Sequence, residues 1–415
     1  MKLINLFLFL FLLGCVSCKS PEENIPNESI QIIPLPNNYE LKPGSFCMNG
    51  QTTIGIDTSD TAMVALAEYF NEKTSDATGF SLPIGDSGTI LFQLGDYKEL
   101  GEEGYQLSVS SGKLVLSAYR HHGIFNGIQS VLQLLPPEIK SKTVQPQKTW
   151  YINCVEITDK PQFAWRGLML DVSRHFFTKQ EVKRFIDQMA EYKYNVFHWH
   201  LTENQAWRLE SKLFPVLNDS CNVTRMPGKF YTQEEAKELV RYCKQRQVLL
   251  IPEFDMPGHS AAFVRAFRHD MQSEAGMKIL KLLMDEVCDV FEVPYLHIGT
   301  DEVAFTNPQF APEMVAYIRA KGKKVISWNP GWHYKPGEID MTHLWSYRGK
   351  AQEGIPAIDS RFHYLNHFDV FADIIALYNS RIYNQPQGSD DIAGAIMAVW
   401  QHQQQCSEQN DRGKT

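Results

Sequence analysis

The chain has 415 residues, which is too long for one small domain and suits two. Hydrophobic residues make up 43% and charged residues 21%, the balance of a globular protein rather than a disordered one. The net charge of -8 argues against a nucleic-acid partner, because no basic field is present to attract phosphates.

The first residues have the pattern of an export signal. An apolar run at 3–13 is too short to span a bilayer, and the sequence GCVSC follows it at 14–18. A small residue before a cysteine resembles a bacterial lipoprotein processing site. We therefore expect residues 1–18 to be a signal peptide, with a lipid anchor at Cys18 and a location in the bacterial cell envelope, in the periplasm or on the outer-membrane surface. Attachment at Cys15 and an ordinary secretory signal are the alternatives.

Residues 19–155 are predicted to form a small α+β domain. Short runs at 89–94 and 105–109 are typical of strands, and the apolar periodicity of 123–135 predicts a helix that the following two prolines end. A polar, proline-containing segment comes next, which places the domain boundary near residue 155.

The remaining residues, 156–415, alternate short apolar runs with helical patterns. Eight such βα units in about 250 residues predict a (β/α)8 TIM barrel. The 15 residues after Trp400 have no apolar periodicity, so we expect the last barrel helix to be missing or truncated. The predicted strands cover residues 168–172, 195–200, 248–252, 295–299, 324–328, 343–346, 356–359 and 395–400. The predicted helices cover residues 178–192, 232–245, 275–290 and 308–321.

Polar and aromatic residues follow the predicted strands at the points where the strands end. In a TIM barrel the loops at the C-terminal ends of the strands form the active site, so these side chains are expected to share one face. They are Asp171, His198, His200, Glu253, Asp255, Asp301, Glu302, Trp328, Trp345 and Trp400.

Asp301 and Glu302 are the most informative of these residues. Because the chain leaves the sheet at this point, two consecutive carboxylates can turn into the same pocket, although neighbours within a strand point to opposite faces. Two carboxylates held close together have pKa values that are pushed apart, so one stays ionised while the other keeps its proton. General acid catalysis at a glycosidic oxygen needs that difference. For an isolated Asp-Glu dipeptide, the start of a solvated loop would be the better interpretation.

Four motifs in the right order resemble those of family 20 glycoside hydrolases, the β-N-acetylhexosaminidases. RGLMLDVSRHFF at 166–177 and NVFHWHLTENQAWR at 195–208 are similar to the first two barrel strands of that family. IPEFDMPGH at 251–259 is similar to its third-strand motif, and HIGTDEV at 297–303 to its catalytic-pair motif. GIFNGIQSVLQL at 123–134 resembles part of the small domain that precedes the barrel.

The resemblance implies an exo-acting hydrolase that releases terminal β-linked N-acetylhexosamine, either GlcNAc or GalNAc, from a glycan. In this family the substrate's own 2-acetamido oxygen is the nucleophile, and configuration is retained through an oxazolinium intermediate. Glu302 would be the general acid and then the base, Asp301 would stabilise the cationic intermediate, and Tyr364 would hold the acetamide oxygen in line. No cofactor and no metal are expected.

The resemblance also assigns further site residues. The tryptophans would wall the sugar and its methyl group, the arginine would grip ring hydroxyls, and the supporting residues would lie near Glu302. Core packing is the alternative role for each aromatic residue. The expected sugar-binding residues are Arg166, Trp328, Trp345, Tyr364 and Trp400, and the expected supporting residues are Asp255, His259 and Glu203.

Several positions depart from the family pattern. Glu203 stands where Asp is usual, and Ala206 and Thr300 stand where Gly is usual. Asn366 and His402 replace the acidic residues that would contact distal sugar hydroxyls. A catalytically weak or inactive sugar-binding relative is therefore the alternative function.

A metal-dependent amidohydrolase is a third, weaker interpretation. His198 and His200 are alternate residues of one strand, a spacing that can bind zinc. A further strand-end histidine would have to complete the ligand set, and His297 is predicted to lie inside its strand instead.

Overall fold

The computed structural model describes residues 30–365 and 370–400. The predictions for the leader at 1–18 and for the tail after Trp400 lie outside these residues. Among the described helices, none combines the length and the apolar character needed to cross a bilayer.

The chain divides into two compact units, Met1–Lys160 and Pro161–Thr415. The boundary near residue 155 was expected from the polar segment before it. The division falls a few residues later because the strand Trp150–Asp159 pairs with Asn38–Met48 and Tyr105–Val109 and belongs to the first unit.

The first unit is the small α+β domain predicted from the sequence. Its seven strands form one sheet in the order β1-β7-β5-β6-β4-β2-β3, in which β1, β7, β5 and β6 pair antiparallel and the remaining pairs are parallel. The elements in chain order are β1 (Asn38–Met48), β2 (Ile54–Gly55), α1 (Thr61–Thr78), β3 (Ile84–Gly85), β4 (Ile90–Leu94), β5 (Tyr105–Val109), β6 (Leu114–Ala118), α2 (His121–Leu134) and β7 (Trp150–Asp159).

The second unit is a closed barrel of eight parallel strands in the order β10-β11-β12-β13-β14-β15-β8-β9, so the predicted TIM barrel is confirmed. Its elements are β8 (Trp165–Asp171), α3 (Lys179–Glu191), β9 (Val196–His200), α4 (Gln233–Gln245), β10 (Leu249–Glu253), α5 (Ala261–Phe267), α6 (Glu274–Val290), β11 (Tyr295–His297), α7 (Phe310–Ala320), β12 (Lys324–Asn329), β13 (Met341–Leu344), β14 (Ala357–Asp359), α8 (Val370–Asn379) and β15 (Ile392–Val399).

Local sequence chemistry sets where the first two barrel helices begin. Thr178 accepts a hydrogen bond from the backbone N–H of Glu181, whose carboxylate accepts one in return, and Thr232 and Glu235 repeat this arrangement in front of α4. Each pair satisfies amide groups that the first helical turn leaves without partners. Both helices therefore begin close to the predicted positions and bury their apolar faces against the barrel.

Two of the predicted βα units lack their helix. The connections from β12 to β13 (330–340) and from β13 to β14 (345–356), both fully described, contain no α-helix. The loop at 345–356 follows directly from the C-terminal end of β13, so it contributes to the face where a TIM barrel keeps its active site.

Candidate active site

The predicted catalytic pair follows β11 on the C-terminal face of the barrel. Asp301 is buried, with 8% of its surface exposed, whereas the side chain of Glu302 is 56% exposed. Both carboxylates approach one imidazole: the Nε2 atom of His259 lies 3.9 Å from Oδ2 of Asp301 and 3.4 Å from Oε2 of Glu302. The two groups thus share one pocket while differing strongly in their access to water.

Burial raises the pKa of Asp301 to about 7, and the negative charge of Glu253 acts in the same direction against the opposing charge of His259. Its Oδ1 atom is buried and accepts no hydrogen bond from the described residues. A buried acceptor without a donor is costly, so this oxygen is suited to receive an N–H group from a ligand.

His259 is held by a chain of charged groups. Burial lowers its pKa, but contact with Glu203 and the charge of Asp301 outweigh that effect and raise the pKa to about 9. Its Nδ1 atom lies 2.5 Å from Oε1 of Glu203, which also accepts a hydrogen bond from Arg174. Arg174 donates in turn to Asp171 at 2.9 Å. Glu203 is therefore the direct partner of His259.

Asp255 lies beside this chain. Carboxylate oxygens of Asp255 and Asp301 and a ring nitrogen of His259 all lie within 4.8 Å of one another. Burial, reinforced by the charge of Asp301, raises the pKa of Asp255 well above its usual range. The structure thus brings the three predicted supporting residues, Asp255, His259 and Glu203, next to the catalytic pair.

Arg166 is the predicted site residue that lies elsewhere. It is the second residue of β8, so it sits at the N-terminal end of the barrel, and its guanidinium donates to the carbonyls of Phe163 and Lys193 at 2.8 and 3.0 Å. The prediction that Arg166 grips ring hydroxyls was wrong, because strand direction places it opposite the catalytic face.

The arginine on the catalytic face is Arg174, which sequence analysis did not assign. It follows β8 by three residues, and its guanidinium lies 4.9 Å from the ring centroid of Trp400. The rule that identified the other candidates, a polar residue just past a strand end, also applies to Arg174 and would have found it.

The aromatic candidates occupy two depths of the barrel. Trp328 is 1% exposed and donates from Nε1 to Glu253 at 2.6 Å, so it forms part of the interior below the site. Trp345 is partly exposed and donates to the carbonyl of Pro330 at 2.7 Å, while the hydroxyl of Tyr364 donates to the carbonyl of Trp345 at 2.8 Å. A hydrogen bond from the Tyr364 side chain to the Trp345 backbone therefore keeps these two residues next to each other.

Trp400 lies at the end of β15. Its ring centroid is 4.9 Å from that of His200 and 6.1 Å from that of Trp328. Together with Arg174 over its ring, these contacts place Trp400 between the buried layer and the charged chain that holds His259.

The backbone before the catalytic pair is strained. Thr300 has φ +86° and Glu302 has φ +50°, a region that β-branched and other side chains seldom adopt. The Oγ1 atom of Thr300 lies 2.5 Å from the hydroxyl of Ser327, to which Tyr334 also donates at 3.2 Å. These buried hydroxyls hold the threonine in the conformation that turns the catalytic pair out of the sheet.

The interior below the site contains a possible metal-binding set. Atoms of His198, Glu253 and His297 that could bind a metal ion lie within 4.8 Å of one another. His297, which was predicted to lie inside its strand, is the last residue of β11 and reaches this set. However, Glu253 already accepts hydrogen bonds from His200 and Trp328, both at 2.6 Å. These bonds account for the position of the carboxylate without an ion.

Comparison with known proteins agrees with this geometry. Residues 163–275 match the family model described as "Glycosyl hydrolase family 20, catalytic domain", and residues 29–160 match "Glycosyl hydrolase family 20, domain 2". The beta-hexosaminidase of Porphyromonas gingivalis is 34% identical over 325 residues, covering 70% of this chain and 42% of its own. That of Vibrio furnissii is 31% identical over 313 residues, covering 66% of this chain and 49% of its own. The chain thus spans less than half the length of these two relatives.

Solved structures show the same fold. The GH20 beta-N-acetylhexosaminidase from Streptomyces coelicolor A3(2) superposes with a TM-score of 0.81 at 27% identity, covering 89% of this chain and 86% of its own. A mutant Streptomyces plicatus beta-hexosaminidase, solved in complex with its product GlcNAc, gives a TM-score of 0.80 at 27% identity, covering 89% and 85%. With both of its units matched and the acidic pair at the end of the fourth barrel strand, the chain belongs to glycosyl hydrolase family 20.

Proposed function

We propose that this protein is an exo-acting β-N-acetylhexosaminidase. The observation that carries the proposal is the unequal pair beside His259: Asp301 is buried with a free acceptor oxygen, and Glu302 is largely exposed. Glycosidic cleavage assisted by the substrate needs these two environments. One carboxylate must face the reacting sugar, and the other must exchange protons with the leaving group and with water.

The reaction proceeds in two steps. In the first, the acetamide oxygen attacks the anomeric carbon, the bond to the leaving oxygen breaks, and Glu302 gives that oxygen its proton. Asp301 accepts the acetamide N–H and stabilises the oxazolinium cation, because its charge lies in a water-poor site. In the second step Glu302 takes a proton from water while the water oxygen bonds to the anomeric carbon. The bond from that carbon to the acetamide oxygen breaks, so the configuration is retained.

The substrate is a glycan or glycoconjugate that ends in N-acetylhexosamine. Arg174, Trp400, Trp345 and Tyr364 lie around the pocket and offer it hydrogen-bond donors and aromatic faces. The competing function, a sugar-binding relative with weak activity or none, was motivated by Asn366 and His402, which lie outside the described residues.

The Glu302→Gln variant is expected to lose about 10²- to 10⁴-fold in kcat, because an amide of the same shape cannot donate the proton. The measurement is hydrolysis of 4-nitrophenyl β-N-acetylglucosaminide, with the galacto epimer in parallel to determine the sugar preference. Glu292→Gln, which changes an exposed carboxylate three residues before β11, is the matched control and is expected to keep full activity. A Glu302→Gln enzyme within a few-fold of the unmodified protein would remove Glu302 from the acid role.

A substrate without the acetamide group is expected to be hydrolysed at least about 100-fold more slowly, because its internal nucleophile is missing. The comparison is 4-nitrophenyl β-glucoside against the N-acetylglucosaminide. Asp301→Asn should lower kcat for the N-acetyl substrate, since a neutral amide cannot stabilise the cation. Equal rates for the glucoside and the N-acetylglucosaminide would require a conventional protein nucleophile.

The pH profile of kcat/KM is expected to have its acidic limb near pH 7. Asp301 must be ionised, its pKa is about 7, and activity therefore falls as the pH drops through that value. The titratable groups that face it are His259, Glu253, Glu302 and Asp255. His259, with a pKa of about 9, is cationic at pH 7 and lowers the pKa of Asp301.

Replacing the His259 cation tests whether Asp301 controls the acidic limb of the pH profile. In His259→Gln the acidic limb should move to higher pH, because the ionised form of Asp301 loses a stabilising charge. A limb that stays in place would show that another group controls it.

We also propose export and lipid anchoring to the bacterial cell envelope. The support is the sequence of residues 1–18, with its short apolar run and the cysteine at its end. The protein should fractionate with membranes, and Cys18→Ala should release it. Release by Cys15→Ala alone would move the attachment site to that residue, and a soluble unmodified protein would refute the anchor.

A further inference from the structure

A cavity of about 370 Å³ opens beside the exposed carboxylate of Glu302. Its lining includes Glu302, Trp345 and Arg348. Two of these residues belong to the site already described, whereas Arg348 has no place in the proposed mechanism. The position of the cavity relative to Glu302 determines what it can hold.

The residues that line the cavity bear on which side of the general acid it occupies. The proton of Glu302 goes to the glycosidic oxygen, which joins the terminal sugar to the rest of the glycan. Trp345, which was expected to wall the terminal sugar, lines the cavity, whereas Asp301 and Tyr364, which are assigned to the acetamide of that sugar, are not part of the lining. Space that contacts the acid without contacting these two residues fits the group that departs.

Arg348 is an exposed cation in this cavity. It lies in the loop at 345–356, one of the connections that lack a helix. Within the described parts of the chain its guanidinium pairs with no carboxylate. Arg361, in the loop after the next strand, shows the usual arrangement for a structural arginine: its Nε donates to Oδ1 of Asp359 at 2.9 Å.

The guanidinium of Arg348 is the recognition element of the cavity. Tyr347, the residue before it, is 75% exposed but is not among the residues that line the cavity. A guanidinium without a carboxylate partner offers paired hydrogen bonds to an anionic group on a bound sugar.

We propose that this cavity binds the leaving group and that Arg348 selects leaving groups carrying a carboxylate or a sulfate next to the cleaved bond. The inference rests on the proposed hydrolase function and adds the class of glycan to it. An acidic sugar, such as a uronic acid or a sulfated hexose, supplies the anion. A guanidinium with its fixed fork of donors matches either group.

The experiment compares two disaccharides in which N-acetylglucosamine is β-linked through the same position to glucuronic acid or to glucose. For the unmodified protein, kcat/KM should be about three- to tenfold higher for the acidic disaccharide, the range for one charge-assisted contact that is partly open to water. In Arg348→Gln this ratio should fall to about one. Lys350→Gln removes an exposed cation two residues away that does not line the cavity, so it should leave the ratio unchanged.

Two further comparisons distinguish carboxylate from sulfate and the leaving group from the terminal sugar as the carrier of the anion. A 6-sulfated glucose as leaving group tests sulfate against carboxylate, and about 0.5 M salt should reduce either preference through screening. If the preference that depends on Arg348 is instead for a sulfate on the terminal N-acetylglucosamine, the cavity holds the terminal sugar and the assignment is overturned.

The two proposals fail in different ways. Hydrolysis of the acidic and neutral disaccharides with equal kcat/KM, unchanged in Arg348→Gln, overturns the inference and leaves the hydrolase function standing. Hydrolysis of neither disaccharide overturns the proposed function together with the inference.

Discussion

The buried carboxylate of Glu253 is the interaction on which the barrel and its site depend. An ion removed from water costs several kcal/mol unless partners compensate for it. Burial raises the pKa of Glu253, but the surrounding histidines outweigh that effect and keep it well below its usual range. Four neighbouring strands, β9 to β12, are thereby tied together at the level directly below the site. The partners are His198 at 2.9 Å, His200 at 2.6 Å, His297 at 3.1 Å and Trp328 at 2.6 Å.

The same charge affects Asp301, one of the two carboxylates proposed to be catalytic. It helps to raise the pKa of Asp301, so the site needs a cation close by to keep that carboxylate available in its ionised form. His259 provides this cation, and the contacts of Glu203 with both His259 and Arg174 hold it in place. Because each charge in this group compensates another, the imidazole, the acids and the arginine form one electrostatic unit rather than separate contacts.

Sequence reasoning predicted what local chemistry determines. The apolar runs located all eight barrel strands, and the chain's exit from β11 explains why Asp301 and Glu302 meet in one pocket. Arg166 was misplaced because a motif does not reveal which end of a strand a side chain occupies until strand direction is considered. The proximity of His198 and His297 was missed because barrel closure brings interior residues of separate strands together. The segments after β12 and β13 were counted among the βα units although no helix was predicted in them, and their prolines and glycines, such as Pro330, Gly331 and Pro336, already favoured loops.

The departures from the family pattern have structural compensations. Threonine at position 300 costs about 1–3 kcal/mol in a left-handed conformation that glycine adopts freely. The hydroxyl of that threonine contacts the hydroxyl of Ser327, which also accepts a hydrogen bond from Tyr334. The same substitution therefore supplies the contact that holds the strained turn. Glu203 is one methylene longer than the usual Asp, and its carboxylate contacts both His259 and Arg174. Geometry at the catalytic pair is therefore maintained by interactions of this chain's own residues, which argues for turnover rather than for a pocket that only binds sugar.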